Sequence, residues 1–151
     1  MNVQTNDATE TEQLGEDIGR KLRGGEVIEL ISDLGGGKTT FVHGLARGAG
    51  STDHVSSPTF TVSKVYKTPK FEIHHFDFYR LAKAGLMEHE LHELLGDPKV
   101  VVVVEWGEIV QHVLPDKRLT IEISQTESEA RDFYMTYDPE LEYLMKGGVS
   151  K

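Results

Sequence analysis

Five valines in a row, Val100 to Val104, constrain this chain more than any other stretch. Alternate residues of a strand face opposite sides of its sheet, so an unbroken β-branched run needs apolar cover on both faces. Helices packed on either side of a sheet with parallel strands provide that cover. The run is also the longest purely apolar stretch in the sequence. It is far too short to cross a bilayer as a helix, which takes about 20 apolar residues.

The flanking sequence supplies matching elements. Leu14, Ile18 and Leu22 recur at i, i+4 and i+8 behind a capping box of Thr9 and Glu12, which predicts an amphipathic helix ending near Gly24 and Gly25. Residues 27–31 read as a strand, 34–37 as a loop, and 39–47 as a helix stopped by Gly48 or Gly50. Residues 59–66 and 71–77 form an antiparallel hairpin around Lys67-Thr68-Pro69-Lys70, with Phe71, Phe76 and Phe78 as packing residues. Helical patterns over 86–95, 108–113 and 140–145 and strands at Leu119, Ile121, Ile123 and over 133–137 complete the chain. No repeat or long linker interrupts the 151 residues. The expectation is a single α/β domain over 1–151, a three-layer sandwich with a mixed β-sheet.

Charge narrows the partners. The 25 acidic residues outnumber 16 scattered basic ones, for a net charge of -9. Tight, direct RNA binding needs clustered Lys and Arg against phosphates, so docking on a protein suits this chain better. The absence of cysteine excludes disulfides, thiolate metal sites and cysteine catalysis. Residues 1–12 are polar and acidic, without the basic and apolar regions of a signal peptide, so a cytoplasmic location is expected.

The sharpest local pattern is Ser32-Asp33-Leu34-Gly35-Gly36-Gly37-Lys38-Thr39. It matches the phosphate loop G-x-x-x-x-G-K-[ST] except at the first glycine, and it lies between a predicted strand and a predicted helix. Successive glycines let backbone N–H groups turn toward phosphate oxygens without Cβ obstruction, and the helix start adds its positive dipole end. Lys38 would reach the β- and γ-phosphates, and the Thr39 hydroxyl would ligate magnesium. A left-handed backbone at Ser32 would strain the loop by about 1 kcal/mol.

A magnesium site also needs a carboxylate, commonly at the end of a neighbouring strand. Glu105 ends the valine run and Asp77 ends the second hairpin strand, and both project toward the ligand-binding edge of an open α/β sheet. Neither guanine-reading Asn-Lys-x-Asp nor Thr-Lys-x-Asp occurs, which favours ATP over GTP. His89 and His92 have helical ligand spacing but read as part of a solvated charged helix. His74 and His75 point to opposite faces of a strand and form no joint site. Tyr79 and Arg80 read either as a partner anchor or closure over phosphate, or as an ordinary surface pair.

Beyond the phosphate loop, further segments follow in a fixed order. Gly37-Lys38-Thr39-Thr40-Phe41 is succeeded by Ser57-Pro58-Thr59-Phe60-Thr61, by Tyr66, by His75-Phe76-Asp77-Phe78-Tyr79-Arg80-Leu81 and by Val104-Glu105-Trp106. Together these resemble the TsaE (YjeE) family of tRNA threonylcarbamoyladenosine biosynthesis ATPases, from about Thr11 to Arg131. The resemblance implies a P-loop NTPase-like fold, ATP and Mg2+ as cofactors, and a weak, partner-stimulated ATPase. It implies TsaD and TsaB as partners, with tRNA met only through that complex. It also places Thr11 on the adenine side and Asp33, Leu34, Gly35, Gly36, Gly37, Lys38, Thr39 and Thr40 around the phosphates. Thr59 becomes a γ-phosphate sensor, Thr39 and Glu105 serve the metal, and Asp77 serves hydrolysis or coupling. Trp106 stands beside the site, and Ser32 departs from the family's glycine. A P-loop small-molecule kinase and a non-hydrolytic, nucleotide-dependent scaffold remain alternatives on the same residues.

Overall fold

The computed structural model describes residues 1–32, 37–56, 63–79, 85–126 and 129–147. The chain runs β1 (Asn2–Thr5), α1 (Ala8–Gly19), β2 (Val27–Ile31), α2 (Lys38–Gly48), β3 (Ser63–Lys67), β4 (Glu72–Asp77), α3 (Leu86–Leu94), β5 (Val100–Glu105), β6 (Leu119–Gln125) and β7 (Arg131–Tyr137). Two 3-10 helices, Gly107–Val110 and Pro139–Met145, follow β5 and β7.

The strands form one mixed sheet in the order β1-β7-β6-β2-β5-β4-β3. β6, β2, β5 and β4 are parallel neighbours, while β1/β7, β6/β7 and β3/β4 are antiparallel. The valine run sits inside the parallel part, and every residue of β5 is buried. Val101 and Val103 join Ile28, Leu30 and Ile73 beneath α1 and α2. Val100, Val102 and Val104 join Phe76 and Phe78 beneath Leu91 of α3 and Val110. The run thus separates two helical layers, as its composition requires.

Two expectations shift at the N-terminus. The cap of α1 is Asp7 rather than Thr9: its carboxylate accepts from Glu10 N at 2.9 Å, while Glu10 accepts from Asn6 N. The helix stops at Gly19, short of Gly24, although Leu14, Ile18 and Leu22 are all buried as their spacing predicts. β1 was not anticipated. Its burial alternates, but Val3 is its one apolar residue, and its pairing to β7 is entirely non-local.

The crossing of α1 and α2 explains where those helices sit. Gly15 and Gly19 of α1 lie against the backbone of α2 at Phe41 and Leu45, and Gly44 and Gly48 of α2 against that of α1 at Glu12 and Glu16. A Cβ at Gly44 would lie 1.9 Å from Glu12 O, and one at Gly15 would lie 2.2 Å from Phe41 O. Arg47 and His43 also pair with Glu12 across this seam, but these side chains are half exposed and such pairs contribute about 0–1 kcal/mol. Close packing through glycine dominates. No helix among the described residues is long and apolar enough to cross a membrane.

Gly44→Ala tests the seam by sign. In an isolated helix the change would stabilise by about 1 kcal/mol, whereas overpacking a contact this close costs about 3 kcal/mol. The net loss, about 2 kcal/mol, lowers the melting temperature by about 4–8 °C. A melting temperature equal to or above wild type in a thermal scan would contradict the contact.

Candidate nucleotide and metal site

Three parallel strands, β2, β5 and β4, end side by side. Register pairs Leu30 with Glu105 and Asp77 with Glu105, so the two carboxylates stand on adjacent strand ends. Side-chain alternation places Ile73, His75 and Asp77 of β4 on the same face as Val101, Val103 and Glu105 of β5. That face is the one α2 covers. Asp77 and Glu105 are each only 2% exposed.

α2 starts at this edge. Its N-cap is Gly37 at φ 99°, a left-handed conformation that glycine adopts without strain, and Phe41 N closes the first turn on Gly37 O at 3.0 Å. Gly37 has no side chain with which to cap the first-turn amides, which suits them to an anion. Lys38 is buried, and its Nζ donates to Ser32 O at 3.2 Å. Trp106 is the one non-glycine among the described residues with a left-handed backbone, so Ser32 carries no such strain.

Trp106 roofs the lysine. Its ring centroid lies 5.2 Å from Lys38 Nζ and 4.8 Å from the Tyr79 ring, so the ammonium meets an aromatic face. Asp77 Oδ1 accepts from Tyr79 N at 2.9 Å, and Phe78 N donates to Glu105 O at 3.0 Å. These bonds join the turn after β4 to the end of β5.

Thr11 and Thr40 line a groove with Ala8, Gly37, Glu129 and Arg131. Thr11 is 2% exposed, and its hydroxyl bonds the Thr5 hydroxyl at 2.7 Å, which ties the groove to β1. Thr39 lies half-buried in the first turn of α2. Asp33, Leu34, Gly35, Gly36, Thr59 and Arg80 fall outside the described residues.

Two residues escaped sequence reasoning. Arg131 comes within 3.6 Å of a Cβ built on Gly37, although the two are far apart in sequence. His75 is fully buried, with Nε2 against the Glu105 carboxylate and Nδ1 3.3 Å from the Tyr66 hydroxyl. The period-two pattern set its ring opposite that of His74 but held no clue to its partners. His89 pairs with Glu93 at 2.9 Å on the exposed face of α3, as a solvated helix would. Among the described residues no group of three or more His, Asp or Glu side chains gathers to hold a metal alone. One carboxylate and one hydroxyl, those of Glu105 and Thr39, are instead donors of the kind that suit Mg2+, which keeps waters and substrate phosphates as its other ligands.

A mixed sheet whose parallel strands end beside a glycine-capped helix, a buried lysine and two strand-end carboxylates defines a single-domain α/β protein. The comparisons with known proteins are specific. Residues 5–133 match the model of the family described as threonylcarbamoyl adenosine biosynthesis protein TsaE. The chain is 39% identical over 116 residues to the tRNA threonylcarbamoyladenosine biosynthesis protein TsaE of Bacillus subtilis, covering 74% of this chain and 70% of that protein. It is 36% identical over 127 residues to the protein of the same name from Treponema pallidum, covering 82% and 90%. The crystal structure of Bacillus subtilis YdiB superposes with a TM-score of 0.78 at 31% identity, over 97% of this chain and 91% of that one. The chain belongs to the TsaE family of tRNA threonylcarbamoyladenosine biosynthesis.

Burial pushes the Tyr66 phenol up to about 12, against the opposing effect of its bond to Ser56 O, and the Glu105 charge adds to the rise. The folded state therefore holds this proton more tightly than the unfolded chain. Its stabilisation is complete below pH 10 and is lost as pH rises from about 10 to about 12. Thermal scans across that range should show a steeper fall for wild type than for Tyr66→Phe; identical slopes would contradict it.

Proposed function

We propose that this chain is the ATP-binding and ATP-hydrolysing component of the cytoplasmic machinery that makes N6-threonylcarbamoyladenosine in tRNA. On this reading it acts with TsaB and TsaD, which transfer the threonylcarbamoyl group to the adenosine beside the anticodon, and it sustains their turnover. The tRNA is met through that complex, in keeping with a net charge of -9. The observation that carries the reading is that Lys38, at the start of α2, lies under Trp106, which directly follows Glu105 and packs on Tyr79, whose N donates to Asp77.

Each residue then has a task. The amides of Gly37 to Thr40 and the Lys38 ammonium hold the phosphate oxygens, with the Trp106 ring limiting where that ammonium can go. Thr39 and Glu105 hold Mg2+, which supplies charge neutralisation at the phosphates when bound. Asp77, fixed through Tyr79 N, orients and accepts the proton of the attacking water. Thr11 and Thr40 border the adenine side.

The decisive experiment is an ATPase assay of the full chain with and without purified TsaB and TsaD, run beside a single-turnover measurement. Partner-stimulated phosphate release supports the proposal. ATP binding without turnover, or transfer of phosphate to a small hydroxyl or amine acceptor, would replace it with a scaffold or a kinase. Lys38→Ala should weaken ATP binding about 10- to 100-fold by calorimetry, the value of a hydrogen bond to a charged group. Asp77→Ala should leave ATP affinity within about threefold and lower stimulated turnover about 100-fold or more. Normal turnover in that variant would remove Asp77 from the chemistry.

A further inference from the structure

His75 is a fully buried imidazole whose two nitrogens both meet polar side chains, on neighbouring strands to either side. Tyr66 pairs in register with Ile73 on β4, and Glu105 pairs with Asp77. The His75 ring therefore reaches diagonally both ways across the sheet, to Tyr66 of β3 and to Glu105 of β5. An ionised carboxylate has no proton to donate, so Nε2 presents its own to Glu105. The Tyr66 oxygen lies 3.0 Å from Ser56 O as well as 3.3 Å from His75 Nδ1, and its one proton goes to Ser56 O. The same network thus secures the backbone immediately ahead of the Ser57-Pro58-Thr59 segment.

We propose that His75 is a positioning residue, holding the Glu105 carboxylate in the orientation that magnesium-dependent ATP binding requires, with Tyr66 fixing the ring from behind. This rests on the reading of Glu105 as the metal-linked carboxylate. Its physical basis is orientational. A lone carboxylate on a rotatable stem can swing away from a cation, whereas one bonded through its second oxygen to a locked ring cannot. Outer hydrogen-bond partners of metal-binding groups typically matter by about 10- to 100-fold in metal affinity or activity. A histidine that merely filled the core would tolerate an apolar replacement of similar volume.

The test is calorimetry of ATP binding to the full chain, once with Mg2+ and once with excess EDTA; the ratio of the two affinities measures the magnesium contribution. His75→Leu should reduce that ratio about tenfold while leaving the EDTA affinity within about twofold. His75→Gln, whose amide nitrogen can still donate to Glu105, should recover the ratio to within about threefold of wild type. Tyr66→Phe should reduce it about threefold, a smaller effect because the ring keeps its bond to Glu105. An unchanged ratio in His75→Leu, or a Gln variant as impaired as Leu, would overturn the proposal. Should His75→Leu fail to fold, Tyr66→Phe decides the matter, and an unchanged ratio there would overturn it. Glu105→Ala separates the two levels. If it too leaves the ratio unchanged, the metal assignment fails; if it abolishes the ratio while His75→Leu leaves it unchanged, only the positioning role fails.

Discussion

The backbone contact between α1 and α2 is the constraint on which the site depends. Four glycines let the helices meet without intervening side chains. That seam fixes the axis of α2, whose first turn carries Lys38 and Thr39, and places α1 so that Ala8 and Thr11 reach the same groove as Thr40. A wider crossing would move the helix start relative to the strand ends. Sub-ångström changes in packed interiors are not absorbed locally, because side chains there already interlock.

A second constraint is electrostatic. The middle of the sheet is valine, leucine and isoleucine, yet His75, Asp77 and Glu105 are buried at one end of the parallel strands. Burial of such groups is costly unless each is hydrogen-bonded, and the described bonds to Tyr66, Tyr79 N and Glu105 meet that need. Elsewhere, buried polarity is structural. Glu26 accepts from Arg23 N and Gly24 N at 2.8 Å and so closes the turn before β2. Glu29 is held by Arg118 beneath the 3-10 helix that follows Trp106.

Much of this was legible in the sequence, for physical reasons. The valine run could only be a strand covered on both sides. Gly37 before Lys38 marked a helix start, and it is the left-handed N-cap of α2. Asp77 and Glu105 were recognisable because each directly follows a buried strand sequence. What stayed hidden was non-local. β1 carries a single apolar residue, so its strand character comes from pairing with β7, more than 120 positions away. α1 ends early because the chain after Gly19 tightens into turns, Lys21 N bonding Ile18 O and Leu22 N bonding Gly19 O, which its apolar spacing did not reveal. His75 had a face but no partner, since Glu105 lies 30 residues downstream. Arg131 meets Gly37 only because β7 folds back beside the helix start.

The chain contains a single tryptophan, and that residue is the one covering Lys38. An indole's emission responds to charge beside its ring, and an ammonium near one aromatic face is such a charge. Any event that draws the lysine toward phosphate changes the field felt by that one chromophore. On the proposed reading of Lys38, that indole would serve as a built-in optical reporter of phosphate binding, with no dye or label added.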